Sequence, residues 1–343
     1  MISLKKVEVF CGTGGVGKTT IATARAMHLA QENKKVLLIT IDPAKRLKQI
    51  LHLDDLDNGE VTEVELSVQN NQTVKFDALL MSPGSTLKRM AQEKGLTQEF
   101  ESTIIKTLSR PHGGMNEIMS IIEVQYQLKT QKYDTIILDT PPGQHFIDFL
   151  ESSEKIKNFF DKSFLEIFSY LGKSVEGPKQ SQGFFGKIIS SGVNKLLSYL
   201  EAVTGAEFVR EFIDAILALY KCRESFLTAL DFQKELRQAH FSNWFLVTSV
   251  EQQKMDDAKK LKDLAAEFIH KDLYLIINKC HSAQLTEWSP KENTPLSKLK
   301  SNLLERENNL ADFASKNFTN VLKFQEIYDS SPLEHVKSLS SQF

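Results

Sequence analysis

Residues 12–19 read GTGGVGKT, so Gly12, Gly17, Lys18 and Thr19 fill the pattern G-x-x-x-x-G-K-[ST]. The run follows an apolar stretch at 7–11 and precedes a helical pattern at 20–31, which makes it a strand-loop-helix junction. Glycines there let successive backbone N–H groups turn inward around phosphate oxygens, and the first helical turn adds the positive end of its dipole. Gly12, Thr13, Gly14, Gly15, Val16, Gly17, Lys18, Thr19 and Thr20 are therefore expected to bind the phosphates of a nucleotide. Lys18 is expected to reach the β and γ phosphates, and the Thr19 hydroxyl to enter the shell of a Mg2+ ion.

A junction of this kind needs a sheet around it, and the rest of the chain supplies one. Short apolar runs recur at 7–11, 36–41, 76–81, 135–138, 244–250, 273–277 and 321–324, most of them followed by a helical pattern. Strands that are apolar on both faces and alternate with helices predict a mainly parallel sheet covered on both sides. The expected fold is α/β, a three-layer sandwich of the P-loop NTPase type. Two stretches without a convincing strand, about 84–132 and 149–240, predict helical insertions that form a helical subdomain within one domain of residues 1–343.

Open α/β sheets bind ligands at the carboxyl ends of their strands, and two acids stand there. Asp42, in TIDPA, follows the second run and is expected to orient the attacking water and approach the metal. Asp139 ends YDTIILDTPPG and is expected to support Mg2+ partly through water, as the acid of a Walker B element. His145, six residues on, reads equally well as a surface histidine. Asn278 and Lys279 open like a base-reading N-K-x-D element, but the fourth position is His281. Guanine selection needs a carboxylate there, so the expected nucleotide is ATP, with the Asn278 amide at the adenine edge.

Composition narrows the partners. Forty-two Lys and Arg against 44 Asp and Glu leave a formal net charge of −2, which provides no basic field for gripping nucleic acid. Cys11, Cys222 and Cys280 are too sparse for a disulfide framework or a zinc site. No apolar run reaches the ~18 residues a spanning helix needs, so the expectation is a cytoplasmic protein without an integral membrane segment. Residues 151–240 hold ten of the 22 phenylalanines. Ile156, Phe160, Phe164, Ile167 and Leu171 lie on one helical stripe, and Phe208, Phe212, Ile216 and Tyr220 on another. Both stripes read as core or as client contact. Between them residues 172–187, GKSVEGPKQSQGFFGK, read as a loop that carries Phe184 and Phe185.

Together GTGGVGKTT at 12–20, TIDPA at 40–44, GGMNEIMSIIEV at 113–124, DTPPGQH at 139–145 and the Asn278 segment resemble the ArsA family of deviant Walker A ATPases, which includes the Get/TRC targeting factors. The resemblance implies an ATP- and Mg2+-dependent dimer, as a homodimer or with a related ATPase. Its switch loops would be those of Asp42 and of Asp139 to His145. It also implies helical subdomains that receive a hydrophobic or membrane-protein client, with peripheral association at a membrane. Residues 324–327, with Phe324, look like the loop that closes over adenine. The chain departs from the pattern at Thr13, where the family has its signature Lys, and at Lys45, where it has His; Lys45 and Arg46 are candidate substitute cations. Two other readings stay open: the catalytic subunit of an anion (arsenite-type) efflux pump, disfavoured by the cysteine set, and a slow-hydrolysing, nucleotide-dependent protein that positions partners.

Overall fold

The computed structural model describes residues 2–41, 46–51, 59–67, 73–97, 99–108, 116–143, 145–151, 198–199, 201–329 and 331–343. The chain divides into two compact units, one of Met1–Met81, Val124–Leu150 and Gln233–Phe343, the other of Ser82–Glu123 and Glu151–Phe232. The strands are β1 (Val7–Gly12), β2 (Val36–Thr40), β3 (Val61–Ser67), β4 (Thr73–Leu80), β5 (Thr135–Asp139), β6 (Ser242–Ser249), β7 (Tyr274–Cys280) and β8 (Asn320–Gln325). The helices are α1 (Lys18–Gln31), α2 (Arg46–Leu51), α3 (Pro83–Lys94), α4 (Thr103–Leu108), α5 (Asn116–Lys129), α6 (Ala206–Lys221), α7 (Arg223–Glu235), α8 (Gln252–Ala265), α9 (Ser282–Glu287), α10 (Pro295–Asn317) and α11 (Pro332–Ser340).

The first unit is built on one sheet of order β3-β4-β2-β5-β1-β6-β7-β8. Every neighbouring pair is parallel except β3 with β4. All residues of β1, β2, β5 and β6 are buried, which is why these strands are apolar on both faces through most of their length rather than alternating. One face carries Phe10, Leu38, Ile137, Phe245 and Ile276 under α1, α2 and α11. Phe10 stacks on Phe245 at 4.6 Å, and Phe245 stacks on Tyr274 at 5.2 Å. On the other face Cys11, Trp244 and Leu246 meet Phe146 and the α8 residues Leu261 and Ala265. The three-layer sandwich and its parallel sheet are present as expected.

Antiparallel β3 departs from the expected strand set. Its sequence, VTEVELS, buries Val64 and Leu66 and leaves Glu63 and Glu65 exposed, so it alternates as a half-solvated edge strand does. Lys75 of β4 bridges Glu63 at 3.1 Å and Glu65 at 3.0 Å, pairing the charges across that edge. A search for strands apolar on both faces passes over such a segment.

The placement of α1, the helix after the glycine loop, rests on a buried ion pair. Arg25 of α1 donates from Nε to Glu8 Oε2 at 2.8 Å and from a terminal nitrogen to Oε1 at 3.0 Å, and both side chains are buried. Asn243 Nδ2 adds a third donor to Glu8 at 3.3 Å. This two-pronged geometry fixes α1 against β1 and β6, because a carboxylate buried so deeply is stable only when its oxygens are met.

All described elements of the second unit are helical. Val209, Ile213, Ile216 and Leu219 form the buried stripe of α6, and Leu87, Met90, Phe100 and Ile105 are buried in the same unit. The stripe differs from the expected one by a register step: Phe208 is 45% exposed, and the neighbouring Val209 takes the core position. Glu123, also buried, accepts a 2.6 Å hydrogen bond from Thr86 Oγ1 and is paired with Arg89. The stripe at 156–171, Phe184 and Phe185 lie outside the described residues. No helix among the described residues is long and apolar enough to cross a membrane.

Candidate functional site

The loop between β1 and α1 is shaped by backbone conformations only glycine adopts readily. Gly12, Gly15 and Gly17 have φ of 150°, 81° and 90°. At Gly12 a Cβ would be driven into the Val247 carbonyl of the adjacent β6. At Gly17, which caps α1 in the left-handed conformation, a Cβ would sit 2.6 Å from Asn278 Nδ2. Both glycines therefore mark close approaches, one to the sheet and one to a side chain. Gly14 and Gly15 are exposed, Val16 is buried, and Lys18 and Thr19 are nearly so in the first turn of α1, while Thr20 is half-buried.

The carboxyl ends of the strands are laced together across this loop. Met81 N–H donates to Thr40 O at 2.9 Å, and Ile41 N–H donates to Asp139 O at 2.9 Å. Thr140 N–H donates to Phe10 O at 3.1 Å, with its hydroxyl on the same oxygen at 2.8 Å. Gly143 N–H donates to Gly12 O at 3.1 Å, and Pro142 Cβ lies 4.0 Å from where a Gly14 Cβ would stand. Residues 139–143 are thus tied to the start and tip of the glycine loop by their backbone, so a shift in one is felt by the other.

The side chains brought to this edge fit a phosphate and a hard cation. Asp139 is buried at the end of β5, and Thr40 Oγ1 donates to its Oδ2 at 3.0 Å. Thr13 Oγ1 is buried and has no hydrogen-bond partner among the described residues, the state expected of a hydroxyl whose acceptor is a ligand oxygen. Thr19 and Asp139 offer oxygen donors, the chemistry Mg2+ takes. Asp42 and Lys45 lie outside the described residues; Arg46 begins α2 and is exposed. His145 is exposed, 3.7 Å from Asp148.

Toward the end of β7, Asn278 is buried, and its Nδ2 donates to Val16 O at 2.9 Å. One of its two amide hydrogens is therefore committed to the glycine loop, a role the sequence pattern did not reveal. His281 N–H donates to Glu307 at 2.6 Å, and its ring stacks at 6.4 Å on the exposed Tyr328. Phe324 requires a correction. It is 1% exposed and packs edge-on against Phe343 at 4.7 Å, within the core under α1 and α11, so its ring is not available to a base. The alternation along β8 turns Phe324 inward and leaves Lys323 exposed.

Sequence reasoning also missed Lys254, whose Nζ donates to Gly14 O at 3.0 Å from the first turn of α8. The cysteines are all buried, and burial pushes the thiols of Cys11 and Cys280 up to about 12, so both stay protonated at neutral pH.

The comparisons with known proteins agree with this geometry. The chain is 29% identical over 187 residues to a protein of Malassezia globosa named ATPase GET3, covering 54% of this chain and 52% of the relative. It is 28% identical over 217 residues to the ATPase GET3 of Mycosarcoma maydis, covering 62% and 60%. With the Neurospora crassa ATPase get3 it shares 29% identity over 226 residues, covering 62% and 61%. The match thus spans between about half and three-fifths of the length of these relatives. Residues 5–287 match the family described as anion-transporting ATPase, a span that includes the glycine loop, Asp139 and Asn278, and on that match the chain belongs to the ArsA ATPase family.

Proposed function

We propose that this chain is a Mg2+-dependent ATPase that works as a nucleotide-gated dimeric switch for a hydrophobic or membrane-associated client, in the cytoplasm. The observation that carries the reading is the backbone tie between the glycine loop and residues 139–143, Gly143 N–H on Gly12 O at 3.1 Å. A loop bonded to the phosphate cradle reports whether the cradle is full, which is what a switch needs.

In this reading the backbone N–H groups of residues 13–18 hold the phosphate chain, and the Lys18 ammonium neutralises its charge as the bond to the leaving oxygen breaks. Thr19 and Asp139 would hold Mg2+, which when bound would supply charge neutralisation. Thr40 positions the Asp139 carboxylate through the bond to Oδ2. Asp42 orients the attacking water. Asn278 sets the height of the loop at Val16, and its remaining amide hydrogen and oxygen would meet the adenine edge. The two structural units act as one ATPase domain, the second being the helical subdomain that meets the client.

Exposed apolar side chains support a client role for that second unit: Tyr199, Val203, Phe208 and Leu227 are all exposed. Against the efflux-pump reading stand Cys11 and Cys280, since thiols held near 12 by burial make poor thiolate ligands for the soft arsenic(III) centre of arsenite. The test is the affinity of a fluorescent apolar helical peptide for the protein with ATP and with ADP. The expected result is binding at least severalfold tighter with one nucleotide than with the other and weakened in a Val203→Ser/Phe208→Ser variant. Equal affinity in both nucleotide states contradicts the switch.

A further inference from the structure

We propose that Lys254 is a phosphate-contacting cation of the nucleotide site, supplied from α8 rather than from the glycine loop; the proposal rests on the ATPase reading above. The contact that points to it is Lys254 Nζ on the Gly14 carbonyl at 3.0 Å, a bond spanning 240 residues of sequence. Register explains how the lysine gets there. β6 runs beside β1 with Gly12 opposite Val247, and two residues after β6 ends at Ser249 the chain turns into α8. The first turn of α8 therefore rises next to the loop that follows β1, and Lys254 stands in that turn.

Its position is locally unfavourable. A cation in the first turn of a helix opposes the positive end of the helix dipole, and the turn itself holds no acidic residue, Glu251 standing just before it as the N-cap. Gln252 and Gln253 each donate to an aspartate one turn on, Asp256 and Asp257 at 3.0 Å, but among the described residues Lys254 forms no ion pair with a carboxylate. A single backbone carbonyl is a weak partner for an ammonium with three donors. Two donors remain for a ligand, and an anionic phosphate chain in the adjoining loop is the partner that offsets the dipole.

The loop itself shows the matching deficit. Thr13, next to Gly14, carries no charge, and its buried hydroxyl lacks a partner among the described residues. Lys18 is then the one cation the glycine loop contributes. When ATP enters, Lys254 shifts from Gly14 O to a phosphate oxygen while the Thr13 hydroxyl donates to the same chain. In the chemical step water oxygen forms its bond to the γ phosphorus, the bond to the β,γ-bridging oxygen breaks, ADP leaves with that electron pair, and the water gives up a proton to a phosphate oxygen or to solvent as inorganic phosphate forms. Lys254 makes and breaks no covalent bond; it stabilises the charge that develops.

Three variants decide the point: Lys254→Met, Lys254→Arg and, as the control for the site, Lys18→Ala. Each is compared with the parent in single-turnover ATP hydrolysis, in equilibrium binding of fluorescent ATP and ADP analogues, and in nucleotide-free melting. Lys254→Met should slow hydrolysis at saturating ATP by about tenfold or more and lower affinity for ATP more than for ADP, the scale of one lost charge-assisted contact. Lys254→Arg should keep most of the rate, and the melting temperature should be unchanged in both. Parental hydrolysis by Lys254→Met, or equal losses in Met and Arg variants accompanied by a lower melting temperature, would overturn the proposal. If the parent itself shows no hydrolysis sensitive to Lys18→Ala, the ATPase reading fails separately. The ATP-over-ADP preference then decides Lys254: retained in Lys254→Met it rejects the contact, lost it supports it.

Discussion

Asn278 shows how one side chain can hold a binding loop in shape. Its amide donates to Val16 O at 2.9 Å, and its Nδ2 leaves no room for a Cβ on Gly17. The glycine and the asparagine are therefore one device: the backbone turns left-handed at Gly17 so that Val16 can present its carbonyl inward. Removing the donor leaves a buried carbonyl unmet, at a cost of about 1–3 kcal/mol. Asn278→Ala should accordingly lower stability by that amount and weaken ATP binding, as read by denaturant unfolding and by fluorescent-nucleotide titration. Unchanged values in both would show that the contact carries no weight. The turn of the glycine loop was legible in the sequence because a strand-loop-helix junction of this kind is encoded locally, in eight consecutive positions between β1 and α1. Asn278 could be placed near the site but not on the loop, and Lys254 could not be placed at all. Their contacts join residues 262 and 240 positions apart, and no local pattern records such a pair.

The elements follow a similar division. Buried parallel strands were legible because burial on both faces writes a short apolar run, as in VFC of β1 and IIL of β5. Edge strand β3 was not, since its two glutamates face solvent and only Val64 and Leu66 mark the buried side. In α6 the aromatic stripe pulled the expected face toward Phe208, whereas the smaller Val209, with Ile213 and Ile216, fills the core. Size alone misleads when the large residue can remain exposed for another use. Ile213→Ala should cost about 2–5 kcal/mol of stability, while Phe208→Ser, on the exposed side, should stay within about 0.5 kcal/mol. Chemical denaturation of the two variants checks the assignment, and the reverse ordering would return Phe208 to the core.

For the molecule as a whole, the sheet collects at its carboxyl edge groups that the sequence scatters from Gly12 to Asn278, and the backbone bonds from Met81 through Thr40, Asp139 and Phe10 join that edge into one strip. Membership of the ArsA ATPase family and this strip point to the same chemistry. The central claim is that the strip hydrolyses ATP with Lys18 at the phosphates. It is tested most directly by phosphate release in a single turnover, with Mg2+ present, by the purified parent and by Lys18→Ala. The account predicts release by the parent and a loss of about a hundredfold or more in the variant, the scale of removing one preorganised charge-stabilising group. Release at the same rate by both proteins would contradict it.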